Sequence, residues 1–193
     1  MAKASSTVVE TVDPTAIHSY GRPLLYVSRA LQYFHNRNRF RRIESEHGVS
    51  LRVPTAASAA TASSPGAVLI EVQGKDIRSV AAARDAVTGL FVAFPPYHFN
   101  SIDAEPHLYP LLAGRDGANA ARLQAARSVY TLFPSDASSR AVLVVYEGFN
   151  PDIDRIVDQT TREAATRDLL RKTLEEFRLT IQSDDSHTTR TAK

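Results

Sequence analysis

One pattern occurs twice along the chain, with a spacing of about 80 residues. In each copy an amphipathic helix precedes a short strand that ends in proline. A polar loop, an apolar strand, a glycine and another helix then follow. Pro54 and Pro134 occupy the same place in the two copies, as do Gly74 and Gly148. This period is too long for a solenoid repeat and suits a small domain. The pattern therefore predicts two consecutive domains of one architecture.

The composition excludes several classes of protein. Hydrophobic residues make up 43% of the 193 residues, which is enough for globular cores, and the net charge is only +2. There are no cysteines, which excludes disulfides and thiolate sites, and no histidines stand at metal-ligand spacing. No apolar run approaches the length of a membrane-spanning helix. We therefore expect a cytoplasmic protein without membrane insertion, catalytic residues, metal or other cofactors.

Hydrophobic spacing predicts the elements of both copies. In the first copy, a helix over 39–47 is followed by a strand over 49–53, a mobile loop over 55–66 and a strand over 67–72. In the second copy, a helix carrying Ala120 and Leu123 precedes strands over 129–133 and 141–146, joined by a polar turn over 135–140. The least certain element is the opening strand of each copy, placed at 24–27 and at 99–103. A long last helix begins near Ile153 and is expected to bend or break midway.

Two prolines mark the predicted boundary between the copies, at Pro95 and Pro96. The predicted organisation has four parts: a partly disordered leader over 1–21, domains over 22–93 and 94–182, and a disordered tail over 183–193.

A glycine motif in the second copy is the strongest functional signal. Gly114-Arg115-Asp116-Gly117 separates two helical segments. Glycines allow a backbone to approach a phosphate closely, and the free N–H groups at the start of the following helix favour an anion. Asp116 acts against this, because a carboxylate repels phosphate, although it also stabilises a helix start.

With the spacing from Gly117 to Val129 and Phe133-Pro134, this motif resembles the KH domain. The resemblance implies an α+β fold with two type I KH domains, each a β-α-α-β-β-α unit with a three-stranded antiparallel sheet backed by three helices. It also implies that the loop grips about four nucleotides of single-stranded RNA. The RNA-contacting residues would be Gly114, Arg115, Asp116 and Gly117, with Leu112, Ala113, Ala118, Asn119, Ala120, Arg122 and Thr131 around them. The aromatic side chains of the second copy could stack on bases, but we expect most of them in the core.

The first copy is similar to a KH domain that has lost its glycines. Counting back from Val49 places Phe34-His35-Asn36-Arg37 at the loop position. Arg37, Arg39 and Arg41, with Arg42, Arg29 and His35 nearby, form the densest basic cluster of the chain. Three interpretations remain open: a phosphate-contacting surface, a solvated helix face paired with Glu44 and Glu46, or a contact surface for a protein or a folded RNA.

One intact and one degenerate loop resemble the vigilin family of multi-KH RNA-binding proteins. This resemblance implies binding to single-stranded or ribosomal RNA, association with the ribosome or another ribonucleoprotein, and a role in translation. The alternative is an adaptor pair that docks onto a protein or a large ribonucleoprotein. The chain could also be a fragment of a longer protein. The sequence does not determine the oligomeric state, the RNA sequence preference, or whether single-stranded DNA is also bound.

Overall fold

The computed structural model describes residues 7–18, 22–64, 66–134 and 140–191, with side chains described as far as residue 183. The chain divides into two units, Met1–Pro96 and Tyr97–Lys193. Each unit contains one three-stranded sheet whose strand pairs are antiparallel. This confirms the predicted sheet type.

The first unit has seven regular elements among its described residues. In chain order these are β1 (Val8–Val12), α1 (Pro23–Asn36), α2 (Arg39–His47), β2 (Ser50–Arg52), α3 (Ala56–Ala60), β3 (Ile70–Gly74) and α4 (Ile77–Ala93). The third strand is central, in the order β1-β3-β2. Val12, Ile70 and Val72 point from the sheet to the buried side chains of the helices, among them Val80 and Phe91.

The predicted opening strand over 24–27 is wrong, because these residues lie within α1. Pro23 stands in the first turn of that helix, and the apolar residues continue at helical spacing to Phe34. The strand comes instead from the predicted leader. Val8–Val12 is rich in β-branched residues and pairs with β3 from Val8 opposite Gly74 to Val12 opposite Ile70.

The predicted mobile loop over 55–66 also contains regular structure. Its alanine-rich start forms α3, in keeping with the high helix propensity of alanine. The Thr55 side chain caps this helix by accepting a hydrogen bond from the Ser58 N–H at 3.1 Å. Ala59 is fully buried, so α3 packs against the unit, and its partner helix is α1.

The second unit has the same sequence of strand, helix pair and two further strands, but among its described residues no helix lies between the last two strands. Its elements are β4 (Phe99–Asp103), α5 (Tyr109–Ala113), α6 (Ala118–Arg127), β5 (Val129–Leu132), β6 (Ala141–Tyr146), α7 (Pro151–Asp154) and α8 (Gln159–Thr191), with three short 3-10 turns before α6. The third strand is again central, in the order β4-β6-β5. The core lies between sheet and helices and includes Val129, Val144, Leu123, Leu170 and Phe177.

The helical end of the chain departs from the prediction. The interruption lies near the start of the predicted helix and not midway, between α7 and α8, where Asp158 caps α8 by accepting a hydrogen bond from the Thr161 N–H at 2.7 Å. From there α8 continues to Thr191, so the predicted disordered tail is helical over 183–191. The predicted polar turn over 135–140 lies, except for Arg140, outside the described residues. No described helix is long and apolar enough to cross a bilayer.

Candidate nucleic-acid interface

The glycine motif forms an exposed turn between α5 and α6. Gly114 leaves the helix with φ 79° and ψ 169°, Asp116 takes the left-handed conformation with φ 52°, and Gly117 follows with φ 79°. Arg115 and Asp116 are exposed, and both glycines are half-buried. The turn therefore interrupts the helix and lies at the protein surface.

Two backbone donors of this turn are unused. The Gly114 N–H donates to the Pro110 carbonyl at 2.9 Å, and the Gly117 N–H donates to the Gly114 carbonyl at 3.0 Å. Within the described ranges, the N–H groups of Arg115 and Asp116 donate to no acceptor. These two donors precede the N-terminus of α6, where the helix dipole also favours negative charge.

The two glycines are required for different reasons. A Cβ at Gly114 would stand 2.8 Å from the backbone nitrogen and the Cγ of Asn119, and the φ/ψ pair of Gly114 is one that only glycine adopts readily. A Cβ at Gly117 would meet nothing within 4 Å, so only its positive φ favours glycine there.

The side chain of Asn119 stabilises the turn by a hydrogen bond to α5. Its side-chain amide donates to the Leu111 carbonyl at 3.3 Å, which ties the first turn of α6 to α5. Leu112 is 1% exposed and belongs to the core. Among the other predicted RNA-contacting residues, Ala113 and Ala120 are half-buried and Ala118 is exposed. The structure therefore points the polar group of Asn119 and the side chain of Leu112 into the protein.

Arg122 lies on the side of α6 that faces α8. Its guanidinium pairs with Glu176 Oε1 at 3.0 Å, and Arg127 pairs with Glu176 Oε2 at 3.0 Å. One carboxylate thus fastens α6 to α8 through two arginines, and Arg122 is engaged within the unit.

Thr131 is a buried polar residue with unused hydrogen-bonding capacity. It is 8% exposed, and its hydroxyl has no hydrogen-bond partner among the described residues. Thr131 lies opposite Val144 on the helix-facing side of β5, in the same row as Val129. The Glu147 N–H donates to the Ser128 carbonyl, so residues 128, 130 and 132 form the hydrogen-bonded pairs of the ladder. The backbone N–H and C=O of Thr131 therefore point to the free edge of the sheet.

The corresponding turn of the first unit is closed. The predicted loop over 34–37 is right only at Arg37, because α1 continues through Asn36 and the turn consists of Arg37 and Asn38. Asn38 takes the left-handed conformation, with φ 53°. The N–H of Arg37 donates to the Tyr33 carbonyl at 2.9 Å, and that of Asn38 donates to the His35 carbonyl at 3.0 Å. Both turn amides are therefore already engaged.

The basic cluster of the first unit is divided between different environments. Arg37 and Arg41 are exposed, whereas Arg39 is half-buried with its Nε buried and, among the described residues, without a hydrogen-bond partner. Arg42 pairs with Glu46 at 2.6 Å on the exposed face of α2. Burial lowers the pKa of Arg29. The role of these residues in binding stays a prediction.

Sequence reasoning missed a side-chain contact at the edge of the first sheet. The Leu51 N–H, at the free edge of β2, donates to the Glu44 carboxylate at 2.8 Å. The residue in the same position of the second unit is Gln124, whose amide donates to Glu147 at 3.3 Å instead. Glu44 and Gln124 stand five residues before Val49 and Val129, so comparing the two copies position by position could have found this difference.

In each unit, a helix pair joined by a short turn is followed by the edge strand of a three-stranded sheet. Residues 15–98 match the family model of the eukaryotic type KH domain (KH domain type I). The match lies on the first unit, which has the closed turn, and the KH fold supports a nucleic-acid-binding module. No curated protein and no solved structure matches the chain.

Proposed function

We propose that the chain is a non-catalytic RNA-binding module with two KH-type units, in which the second unit grips single-stranded RNA. The turn at 114–117 carries this function. Its two unused N–H donors, its exposed Arg115 and the start of α6 together suit a phosphate of a flexible strand. The same strand order in the sheet of the second unit, with its third strand in the centre, supports treating it as a second KH copy.

Bases of the bound strand would extend from the turn toward the free edge of β5. Single strands present unstacked bases with free Watson–Crick edges, which duplexes do not. The outward N–H and C=O of Thr131 can donate to and accept from such an edge. The unpartnered hydroxyl of Thr131 is a further group that a ligand or a water molecule would satisfy. Ala113 and Ala120 are small enough to leave room for a base.

The test is the single substitution Arg115→Asp, which leaves both glycines and the backbone of the turn intact. It removes a positive charge and places a second carboxylate beside Asp116. We expect the affinity for short single-stranded RNA to fall by at least about tenfold, the scale of a lost charge-assisted contact. Fluorescence anisotropy at two salt concentrations measures this. The affinity of the unaltered chain should also fall with salt.

Arg78→Asp is the matched control. Arg78 is exposed in the first turn of α4, and the substitution makes the same change in net charge. An equal loss of affinity in both variants would mean that only the total charge of the chain matters, and RNA binding through the turn at 114–117 would be refuted.

The cellular setting belongs to the same proposal. The likeness to multi-KH proteins of the vigilin type favours binding of messenger or ribosomal RNA in the cytoplasm, in ribosome-associated control of translation. A second candidate is an adaptor that docks onto a protein or a large ribonucleoprotein. The closed turn of the first unit and the carboxylate of Asp116 favour it. An adaptor should show almost no affinity for short single-stranded RNA at either salt concentration.

A further inference from the structure

We infer that the first unit holds its own cleft shut. In the second unit, the proposed single-stranded RNA would lie along the edge of β5, beside the α5–α6 pair. The corresponding cleft of the first unit lies between β2 and the α1–α2 pair. Two contacts of the chain with itself close that cleft, one made by α3 and one made by Glu44. This inference concerns the first unit and stands independently of RNA binding by the second.

The first contact is made by the segment that follows β2. Only residues 53–55 separate the end of β2 from α3, and α3 lies against α1. The Ser28 hydroxyl of α1 donates to the Ala56 carbonyl at 2.8 Å, and the Ala59 side chain is fully buried. The chain therefore crosses from the edge strand directly to α1, which bridges one end of the cleft.

This segment is fixed at both ends. Thr55 caps α3 at its start. At the other end, the Gly66 N–H donates to the Thr15 hydroxyl at 3.0 Å, and that hydroxyl donates to Asp13 Oδ1 at 2.5 Å. A loop held in this way keeps α3 seated on α1.

The second contact closes the edge itself. Glu44 extends from α2 and accepts the outward N–H of Leu51 on β2. A carboxylate thereby occupies the donor that a base would use, and it adds negative charge where a phosphate would approach. In the second unit, Gln124 turns away to Glu147, and among the described residues the Thr131 N–H has no acceptor.

The experiment opens the cleft in the 193-residue chain, in which Arg115→Asp disables the proposed RNA contact of the second unit. Glu44→Ala frees the edge N–H, and Ala59→Asp places a charge where α3 packs, so that α3 leaves α1. The probe is random-sequence single-stranded RNA of about eight nucleotides, twice the length that one KH loop grips. Ultraviolet crosslinking with mass spectrometry locates the contacts, and anisotropy gives the affinity.

We expect the Arg115→Asp chain to give no crosslinks at 51–54. The opened variant should gain them, with an affinity about fivefold to tenfold higher, the scale of one hydrogen bond to the freed edge N–H, since the two substitutions together leave the net charge unchanged. Crosslinks at 51–54 before opening would overturn the inference, and so would an opened variant that gains none. If the unaltered chain shows no contacts at 111–131 but the opened variant gains contacts at 51–54, RNA binding by the second unit fails while the closed cleft stands.

Two matched variants distinguish the effect of closing the cleft from the effect of the carboxylate charge. Glu46→Ala with Ala59→Asp makes the same charge change on the same helix but leaves Leu51 capped, and it should give no crosslinks at 51–54. Glu44→Gln with Ala59→Asp removes the charge but keeps an acceptor, and it should gain little. An equal gain in the Glu46→Ala variant would overturn the inference. If Ala59→Asp unfolds the unit by circular dichroism, Glu44→Ala with Ser28→Ala provides the milder opening, with the same expected contacts and the same refuting outcomes.

Discussion

The two interhelical turns of the chain join equivalent helices by different backbones. In the first unit, the 14-residue α1 continues to a two-residue turn with one left-handed residue, Asn38. In the second unit, the five-residue α5 stops at Gly114, and Gly114, Asp116 and Gly117 all have positive φ. Since the first unit reaches the same strand order without a glycine, the fold does not require the glycine turn. Left-handed residues such as Asp116 cost free energy and are typical of functional sites.

The helices of the two units are held by similar apolar contacts in spite of their different turns. Phe40 and Ile43 of α2 are buried, as is Leu123 of α6. Each of these helices also ends in a left-handed residue, Gly48 or Ser128, whose N–H donates back to the carbonyl four residues earlier. The apolar rows therefore set the fold, which leaves the turn between the helices free to vary.

Acid should affect the second unit most strongly. His98 is 8% exposed, and its Nδ1–H donates to the Tyr146 carbonyl at 2.9 Å. The pKa of His98 is lowered to about 4, mainly by burial and also by the nearby Arg162, while the hydrogen bond to Tyr146 and the charge of Asp154 act in the opposite direction. The neutral form is therefore favoured in the folded state. The contribution of neutral His98 to the free energy of unfolding is complete above the unfolded pKa of about 6.5. It is lost as the pH falls toward 4, which lowers that free energy by about 3 kcal/mol.

Urea titrations followed by amide NMR at pH 7 and pH 4.5 resolve the two units. The acid loss should appear in residues of the second unit. His98→Asn keeps a donor near the Nδ1 position and does not titrate, so this variant should lose most of the acid dependence. An undiminished acid loss in His98→Asn would assign the effect to other groups.

Gly114→Ala should destabilise the second unit by about 2 kcal/mol, the cost of forcing a side chain into a glycine-only conformation. The added Cβ would also overlap the Asn119 backbone. Gly117→Ala meets open space and should cost about 1 kcal/mol for its positive φ alone. Urea titrations of both variants at neutral pH measure the difference. Equal costs would mean that the close approach of Asn119 does not constrain the turn.

Hydrophobic periodicity predicted most of the helices and strands, because the apolar residues of this chain repeat at 3.6 or 2 positions. It failed at 24–27, because a short apolar run fits a strand and a helix equally well. Only the helical spacing of the buried residues that follow shows that this run belongs to α1. Hydrophobic periodicity does not predict how polar side chains are oriented. Asn119 bonds inward to Leu111, and Glu44 reaches across to Leu51. Both contacts depend on how helices and strands pack, which no local pattern encodes.

Asp116→Asn should strengthen RNA binding by about threefold, because removing one unit charge about 6 Å from a phosphate in water changes the energy by about 0.7 kcal/mol. Asparagine tolerates the left-handed conformation of this position, so the turn keeps its shape. Asp152→Asn, at an exposed carboxylate of α7, makes the same charge change away from the turn and should leave the affinity within error. Anisotropy at low salt compares the two variants. Equal strengthening would show that the carboxylate of Asp116 acts only through net charge, whereas a difference would identify Asp116 as the residue that weakens the proposed phosphate contact.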